Sequence, residues 1–548
     1  MTVEYDYLVI GSGAGGGAAA WRLASSGHHV TVVKAGPAFD PAQDYRLSQD
    51  DWEQPFPQKP GSVGPYNIAP LQLLTDATGD IRSWNAINGP YVKQAHRQSF
   101  GYHHVRGVGG SSLHFTGEAH RMNPRSMRLA TDFGRGADWP MDYAALAPYW
   151  DIAESVVGVA GPTEDRRCQR NGPYPQPAHP ISHASLVLAR GLEQMGASWQ
   201  ANSLAVLSVP TKDRPNCNHC GGCLRGCPLT DKGSIDVTYL RQAVATGRCD
   251  VLPGVEALQI QTDGTKVTGV LIASKRGQEV LKARVVIVAC GAIQTPRLLL
   301  NSADRHSPEG LCNEAGQVGQ NFMETLLTTS SALHPDRLGS HRGLPVDWVC
   351  WDWNAPDAIP GVIGGCRFSP AMAESDLVGP VAYATRVVPG WGKDHKKAMR
   401  DSFGRVLSIA GIGESLPHPQ SFVSLSARKD SHGLPVAQIQ SHLDDMAHDR
   451  LRFMTETCRA ILAATGCGPV FEEFSSVDAF SSTHVFGTCR LGTSPGTSVT
   501  DPFGRSHRWR NLLIADASLF PSSGGGESPG LTIQALAIRG VDNLLETP

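Results

Sequence analysis

The stretch that most narrows the possible folds is DYLVIGSGAGGGAAAWRLASSGHHVTVVKAG, residues 6–36. An apolar run rich in β-formers meets a cluster of glycines. A helix-like run of small residues follows, then a second strand-like run. The pattern predicts strand, loop, helix and strand within about thirty residues. Gly11, Gly13 and Gly16 satisfy G-x-G-x-x-G. Gly11 permits a tight turn, Gly13 lets a pyrophosphate approach the backbone, and Gly16 lets the helix lie close to the strand. Ser12, Ala14 and Gly15 complete the loop, and the helix N-terminus turns free N–H groups toward the phosphates. One position departs from the dinucleotide-binding pattern. The second strand should end on a carboxylate for the ribose, and Lys34 stands there. Lysine has no acceptor, so the ribose contact is made differently. A 2′-phosphate is one reading of such a lysine, against which the remaining motifs argue.

Beyond this opening, residues 37–100 are rich in proline and polar residues and read as excursion loops. Residues 137–161 look helical after Pro140, and "VVIVACGA" (285–292) reads as another buried parallel strand. The alternating runs "VDWVCWDW" (346–353) and "SFVSLSA" (421–427) suit a sheet with one ligand-facing side. "NLLIADASLF" (511–520) returns to a buried strand and turn, and a helix starts near Pro529. Over 548 residues the formal charge is −3, so no global field argues for nucleic acid or an anionic surface. The first residues lack a secretory pattern and no apolar stretch is long enough to span a membrane. The expectation is a cytoplasmic protein, with co-export to the periplasm on a signal-bearing partner as the alternative.

Four separated stretches then carry a family resemblance. They are "GSGAGGG", "RGVGGSSLHF" (106–115), "GAIQTPRLLLNS" (291–302), and "HVFGTCRLG" (484–492) with "NLLIADASLFPSSGGGESPGLTIQALAIR" (511–539). Together they resemble the glucose–methanol–choline (GMC) oxidoreductases, flavoproteins that oxidise alcohols. The resemblance implies an α/β fold: a Rossmann-like, discontinuous FAD-binding domain, and a second, α+β substrate domain on an antiparallel or mixed sheet. The bounds expected are 1–310 for the FAD domain, with a cysteine-rich insert at 215–235, then 311–480 for the substrate domain. Residues 481–548 return to the FAD domain. It further implies that Arg106, Gly109, Gly110 and Ser111 wrap the flavin side of the cofactor. Val255 would contact the adenine, and Asp516 and Ala517 the pyrophosphate and flavin. His114 falls where some sugar-oxidising relatives bond a histidine covalently to the flavin. The alternative is an imidazole packed beside the ring without a bond.

Oxidation of an alcohol by flavin needs a base within reach of the hydroxyl proton, and histidine suits the task. The resemblance assigns that role to His484. The family's second catalytic residue is usually His or Asn, and Ser528 stands in its place. Ser528–Pro529 also reads as a cap followed by proline at the first helical position. The positive end of that helix would stabilise reduced flavin. Glu527 is next door.

"CNHCGGCLRGCP" (217–228) places Cys217, Cys220, Cys223 and Cys227 in C-x2-C-x2-C-x3-C-P. This is a ferredoxin-like spacing, although in ferredoxins the fourth cysteine of such a run serves a second cluster. Catalytic subunits of bacterial membrane-linked glucose dehydrogenases, which this chain resembles here, carry C-x5-C-x3-C-P and a 3Fe-4S cluster. Cys217, Cys223 and Cys227 match that pattern. A 3Fe-4S or 4Fe-4S cluster, bare thiols or a disulfide, and zinc all stay open.

The function expected is an FAD-dependent dehydrogenase acting on a sugar, glycoside or polyol-like alcohol. A cytochrome or small subunit would serve as redox partner. The alternatives are an oxygen-using oxidase of the same fold and a flavin-binding electron-transfer or scaffold subunit. Trp348, Trp351 and Trp353 read either as a sugar-stacking surface or as a packed strand.

Overall fold

The computed structural model describes residues 4–45, 71–72, 79–85, 104–165, 167–372, 383–388, 390–477 and 484–547. The strand Glu4–Ile10 sits inside a seven-stranded sheet. It pairs in parallel with Val30–Lys34 on one side and Gly277–Val288 on the other. Cys249–Pro253 extends the parallel run beyond Val30–Lys34. The far half of Gly277–Val288 takes Leu512–Ile514 in parallel, while its near half carries the antiparallel strands Val267–Ser274 and Glu256–Thr262. Leu8, Val9, Val32, Val286, Ile287 and Val288 are all buried, as the continuous apolar runs require of a sheet covered on both faces.

The helix Ala14–Ser25 begins at the end of the glycine loop. It lies against Ala515, just past the strand Leu512–Ile514, and the last helix, Gly530–Glu546, and the approach is close. A Cβ at Gly15 would stand 1.6 Å from the Ala515 carbonyl oxygen. The Arg22–Asp542 ion pair at 2.5 Å ties the two helices. The helix expected after Pro140 spans Tyr143–Val157: Asp142 caps it by accepting from the Ala145 N–H, and Gly158 ends it in the left-handed region at φ 77°. Trp150 hangs its Nε1–H on Thr532, so this helix also backs onto the last one.

A second core forms around a four-stranded antiparallel sheet, in the order Cys366–Pro370, Val406–Gly413, Leu326–Leu333, Val470–Ser475. The helix Asp445–Ala464 lays Leu451, Met454, Cys458, Ile461 and Leu462 onto it. Helix His183–Gln194 joins the same core through Ala184, Leu188 and Leu192. The run at 421–427 becomes the strand Phe422–Lys429, paired with Pro435–Leu443.

Three expectations differ from what is observed. Inside the interval read as loops, Gly79–Asn85 is a strand, parallel to Pro435–Leu443; the interval is otherwise largely outside the described residues. Tertiary pairing supplies the order that its weak periodicity does not announce. The tryptophan run is not a long strand: Trp348–Val349 pairs with Gln200–Ala201, and Cys350 adds a single bridge to Phe368. Trp348 is fully buried and donates to the Ser185 carbonyl, and Trp353 packs on Phe368 and Phe453, so neither offers a stacking surface. Finally, the last helix starts one residue later than the cap reading required. Pro529 is its N-cap, and no side chain caps the helix there.

Candidate active site

The glycine loop separates the glycines that packing demands from the one it does not. Gly11 has φ +102°, and a Cβ on it would meet the Ala289 oxygen at 2.2 Å. A Cβ on Gly16 would meet the Gly11 oxygen at 2.0 Å. At Gly13 the nearest heavy atom would be the Gly110 Cα, at 4.0 Å. Nothing in the protein needs a glycine there, so the space beside the helix N-terminus belongs to something else. The first turn of Ala14–Ser25 holds no acidic residue and its N-cap makes no side-chain bond, which leaves N–H groups for an anion. These features fit the pyrophosphate of FAD.

The other residues assigned to the cofactor surround this loop. The Gly109 N–H reaches Ser12 Oγ at 3.4 Å, and Gly110 lies over Gly13. Ser111 and Leu113 belong to the short 3-10 turn Gly110–Leu113 that follows. Asp516 is buried and accepts from the Gly291 N–H, Thr295 Oγ1 and the Ser518 N–H, which fixes the turn at Ala517 beside the start of the 291–302 stretch. Val255 donates its N–H to the Lys34 carbonyl at 2.9 Å, so both stand at the carboxyl ends of neighbouring parallel strands. Burial pushes the Lys34 ammonium below the ordinary lysine value, and the Arg106 guanidinium adds to that push. Arg106 is ion-paired with Glu256.

His114 is buried, and its Nδ1 meets the Leu224 carbonyl oxygen at 2.5 Å. Beside it, Lys232 is buried with its ammonium shared among three carbonyls: Leu113 at 2.9 Å, Phe115 at 3.1 Å and Cys223 at 2.6 Å. These bonds fasten the cysteine run to the loop at 109–115. The four thiols have different surroundings. Cys217 and Cys223 turn into an apolar cluster with Leu204, Val206, Leu344 and Val346, Cys227 donates to Asp231 at 3.0 Å, and Cys220 is exposed. Burial pushes the Cys223 thiol up to about 12. All four are free thiols. Among the described residues, no group of three or more His, Cys, Asp or Glu side chains is placed to hold a metal ion. The spacing suits an iron–sulfur cluster and the arrangement of the thiols does not.

His484 leads into the strand Val485–Phe486, which pairs with Met323–Glu324, and its carbonyl accepts from the Thr325 N–H at 3.0 Å. The following residues run beside Ala517–Leu519, through bonds from Cys489 and Leu491 to the Ser518 and Leu519 carbonyls. Burial, with the Arg367 guanidinium adding to it, lowers the His484 imidazole to about 4. It is therefore neutral across the ordinary pH range.

Around it stands a polar ring that sequence reasoning missed. The Ser528 N–H donates to His120 Nδ1 at 3.0 Å. His120 Nε2–H donates to Asn202 Oδ1 at 2.8 Å, Asn202 donates to Glu118 at 3.0 Å, and Arg367 donates to Glu118 at 2.6 Å. Arg367 Nε closes the ring on the Gly526 carbonyl at 2.7 Å. The ring thus leaves and re-enters the segment 526–528 at the head of the last helix. Burial first, then Arg367 and Arg167, hold His120 well below the ordinary histidine value, so this imidazole is neutral too. Glu527 turns away and accepts from the Asn123 N–H, Asn354 and Arg167 at 2.8–3.0 Å. Arg167 lies 4.2 Å over Trp351, the one tryptophan of the trio at this site, and so covers a face that a sugar would need. The ring comes from four distant stretches, and no local pattern marks it.

Comparison with known proteins identifies the family. Residues 176–326 and 417–537 match the N- and C-terminal halves described as GMC oxidoreductase, and residues 6–45 match a description of an FAD binding domain. The chain belongs to the GMC oxidoreductase family. It is an FAD-dependent oxidoreductase acting on CH–OH groups. One GMC relative is the 2-methyl-1,2-propanediol dehydrogenase of Mycolicibacterium austroafricanum, 28% identical over 98% of this chain and 95% of that protein. Another is the fructose dehydrogenase large subunit of Gluconobacter japonicus, 24% identical over 99% of this chain and 98% of that one. Among solved structures, the Aspergillus oryzae formate oxidase shares the GMC fold with a TM-score of 0.64 at 15% identity, over 99% and 98% of the two chains.

Proposed function

We propose that the protein is a dehydrogenase oxidising a sugar, glycoside or polyol-like alcohol, with His484 as the base. FAD, when bound, accepts the hydride that the carbinol carbon gives up. The hydroxyl proton must leave at about the same time, to a neutral base within hydrogen-bond reach. His484 supplies that lone pair: burial and Arg367 keep its ring unprotonated down to about pH 4. The Arg367 charge favours an oxygen that turns negative as its proton departs, and Glu118 balances it. Ser528, held through its N–H by His120, faces the same locality as a substrate contact. The neutral imidazole beside the Arg367–Glu118 pair is the observation that carries the proposal.

Two relatives named as dehydrogenases support an acceptor other than oxygen, and one of them is a large subunit, which supports a redox partner. The cysteine spacing supports a cluster on that route; among the described residues no group of three or more such side chains is placed to hold a metal ion, and no step is assigned to one. The place of His114 beside the 109–113 loop supports covalent attachment to the flavin there. Acid-denatured protein that releases all its yellow colour would exclude it.

The test is anaerobic mixing with a panel of sugars and diols, followed through the flavin spectrum. Bleaching with at least one, and no peroxide on re-aeration, is expected. Peroxide would assign an oxidase, and no bleaching by any alcohol would overturn the proposal. Iron analysis with EPR on anaerobically purified protein decides the cluster.

A further inference from the structure

The helix Gly392–Ser402 has no buried residue. Its inner side, Ala398 and Met399, rests with Phe403 against Tyr383, Val387 and Val406. Its outer side carries Lys393, Lys396, Lys397 and Arg400, all exposed, and Arg337 and Arg342 are exposed close by. Asp394, Asp401 and Asp336 are interspersed, so six cations face three carboxylates in a chain whose net charge is −3. Trp391, just before the helix, is 90% exposed, the most exposed large apolar side chain among the described residues.

This patch adjoins the cysteine run. A Cβ on Gly221 would lie 3.4 Å from the Gly343 oxygen and 3.7 Å from the His341 oxygen. The His341 ring lies 4.7 Å from that of Phe403, at the end of the helix. On its other side, the cysteine run is bonded to residues 113–115 through Lys232 and His114. The cysteine run, hydrogen-bonded to the cofactor loop, therefore packs against residues 341–343 beside the basic helix.

The geometry points to this helix as the docking face for a negatively charged one-electron carrier protein that collects the enzyme's electrons beside the cysteine run. The inference rests on the dehydrogenase reading and names its partner surface. A helix that lies in a bilayer exposes its apolar side; here that side is turned inward, and a mixed charge pattern with one aromatic anchor suits a protein partner. Two electrons leave the reduced enzyme singly, each reducing one acceptor.

Two measurements test it on the FAD-loaded enzyme. In the first, tryptophans are replaced by 5-fluorotryptophan and hexacyanochromate(III), a redox-inert anion, is titrated in. The Trp391 signal, assigned through Trp391→Phe, should broaden before those of buried Trp150, Trp348 and Trp509. Lys393→Glu/Lys396→Glu/Lys397→Glu should abolish the effect. In the second, enzyme reduced by dithionite rather than by an alcohol is mixed with ferricyanide. The triple variant should be reoxidised about tenfold more slowly at low salt, with a flattened ionic-strength dependence. Hexaammineruthenium(III) should show the opposite change. Unselective broadening, or ferricyanide oxidation equal to the parent's, would overturn the inference. So would Trp391-dependent binding to phosphatidylglycerol vesicles with unchanged ferricyanide kinetics. Because dithionite supplies the electrons, a wrong substrate reading leaves this test intact.

Discussion

His484→Ala should lower the rate of flavin reduction by two to four orders of magnitude, the usual size of a general-base contribution, while FAD absorbance per protein stays unchanged. Its depressed pKa gives the pH sign. The base is competent above about pH 4, so stopped-flow reduction should fall as pH drops through that value. Ser528→Ala should cost far less, because it is the Ser528 backbone N–H, not its hydroxyl, that meets His120. His120→Ala opens the ring and leaves a buried N–H and an amide unpaired, each costing about 1–3 kcal/mol. Its signature is a displaced acid limb for His484, because Arg367 loses its fixed position, whereas a purely structural loss would leave the limb in place. Glu414 gives a stability test. It is fully buried, and burial, opposed by the Arg450 guanidinium, raises it to about 7. Stability from this group is complete below the unfolded-state pKa near 4.5 and is lost as pH rises through 7. Glu414→Gln should remove that decline and raise stability at pH 8 by about 2–4 kcal/mol in denaturant titrations. At this scale the sequence singles out His484 as a candidate, because a rare local motif surrounds it. Glu118, His120, Asn202 and Arg367 stay hidden because each is ordinary until the fold brings it to the others.

At the scale of elements, the glycine loop makes a contrast that can be measured. Gly13→Ala adds a methyl into space that no protein atom fills, so the chain should fold with its parent's far-ultraviolet circular dichroism and fail to retain FAD. Gly15→Ala drives a methyl to 1.6 Å from the Ala515 oxygen, so it should fail to yield soluble protein. The parallel strands and the Tyr143–Val157 helix are legible in sequence because their apolar runs and caps are local. The Gly79–Asn85 strand is not, because its partner lies more than three hundred residues away at Pro435–Leu443. The tryptophan run misleads in the other direction: its alternation imitates a ligand-facing strand, while Trp348 and Trp353 serve the second core. The cysteine spacing likewise names a ligand set that the side chains do not assemble.

Across the whole molecule, the chain crosses between its two cores repeatedly, and the site lies where segments from both meet. Glu118 and His120, Asn202, Arg367, His484 and Gly526–Ser528 are contributed by five separate passages. The order in which these passages are made has a consequence. The strand Gly277–Val288 is translated long before its neighbour Leu512–Ile514, and until then the far half of that strand presents an open edge of N–H and C=O groups. A nascent chain anywhere between residues 289 and 511 therefore carries a sticky, half-made sheet and cannot yet grip its cofactor, which makes emergence of Leu512–Ile514, rather than of the first domain, the earliest moment at which the yellow enzyme can exist.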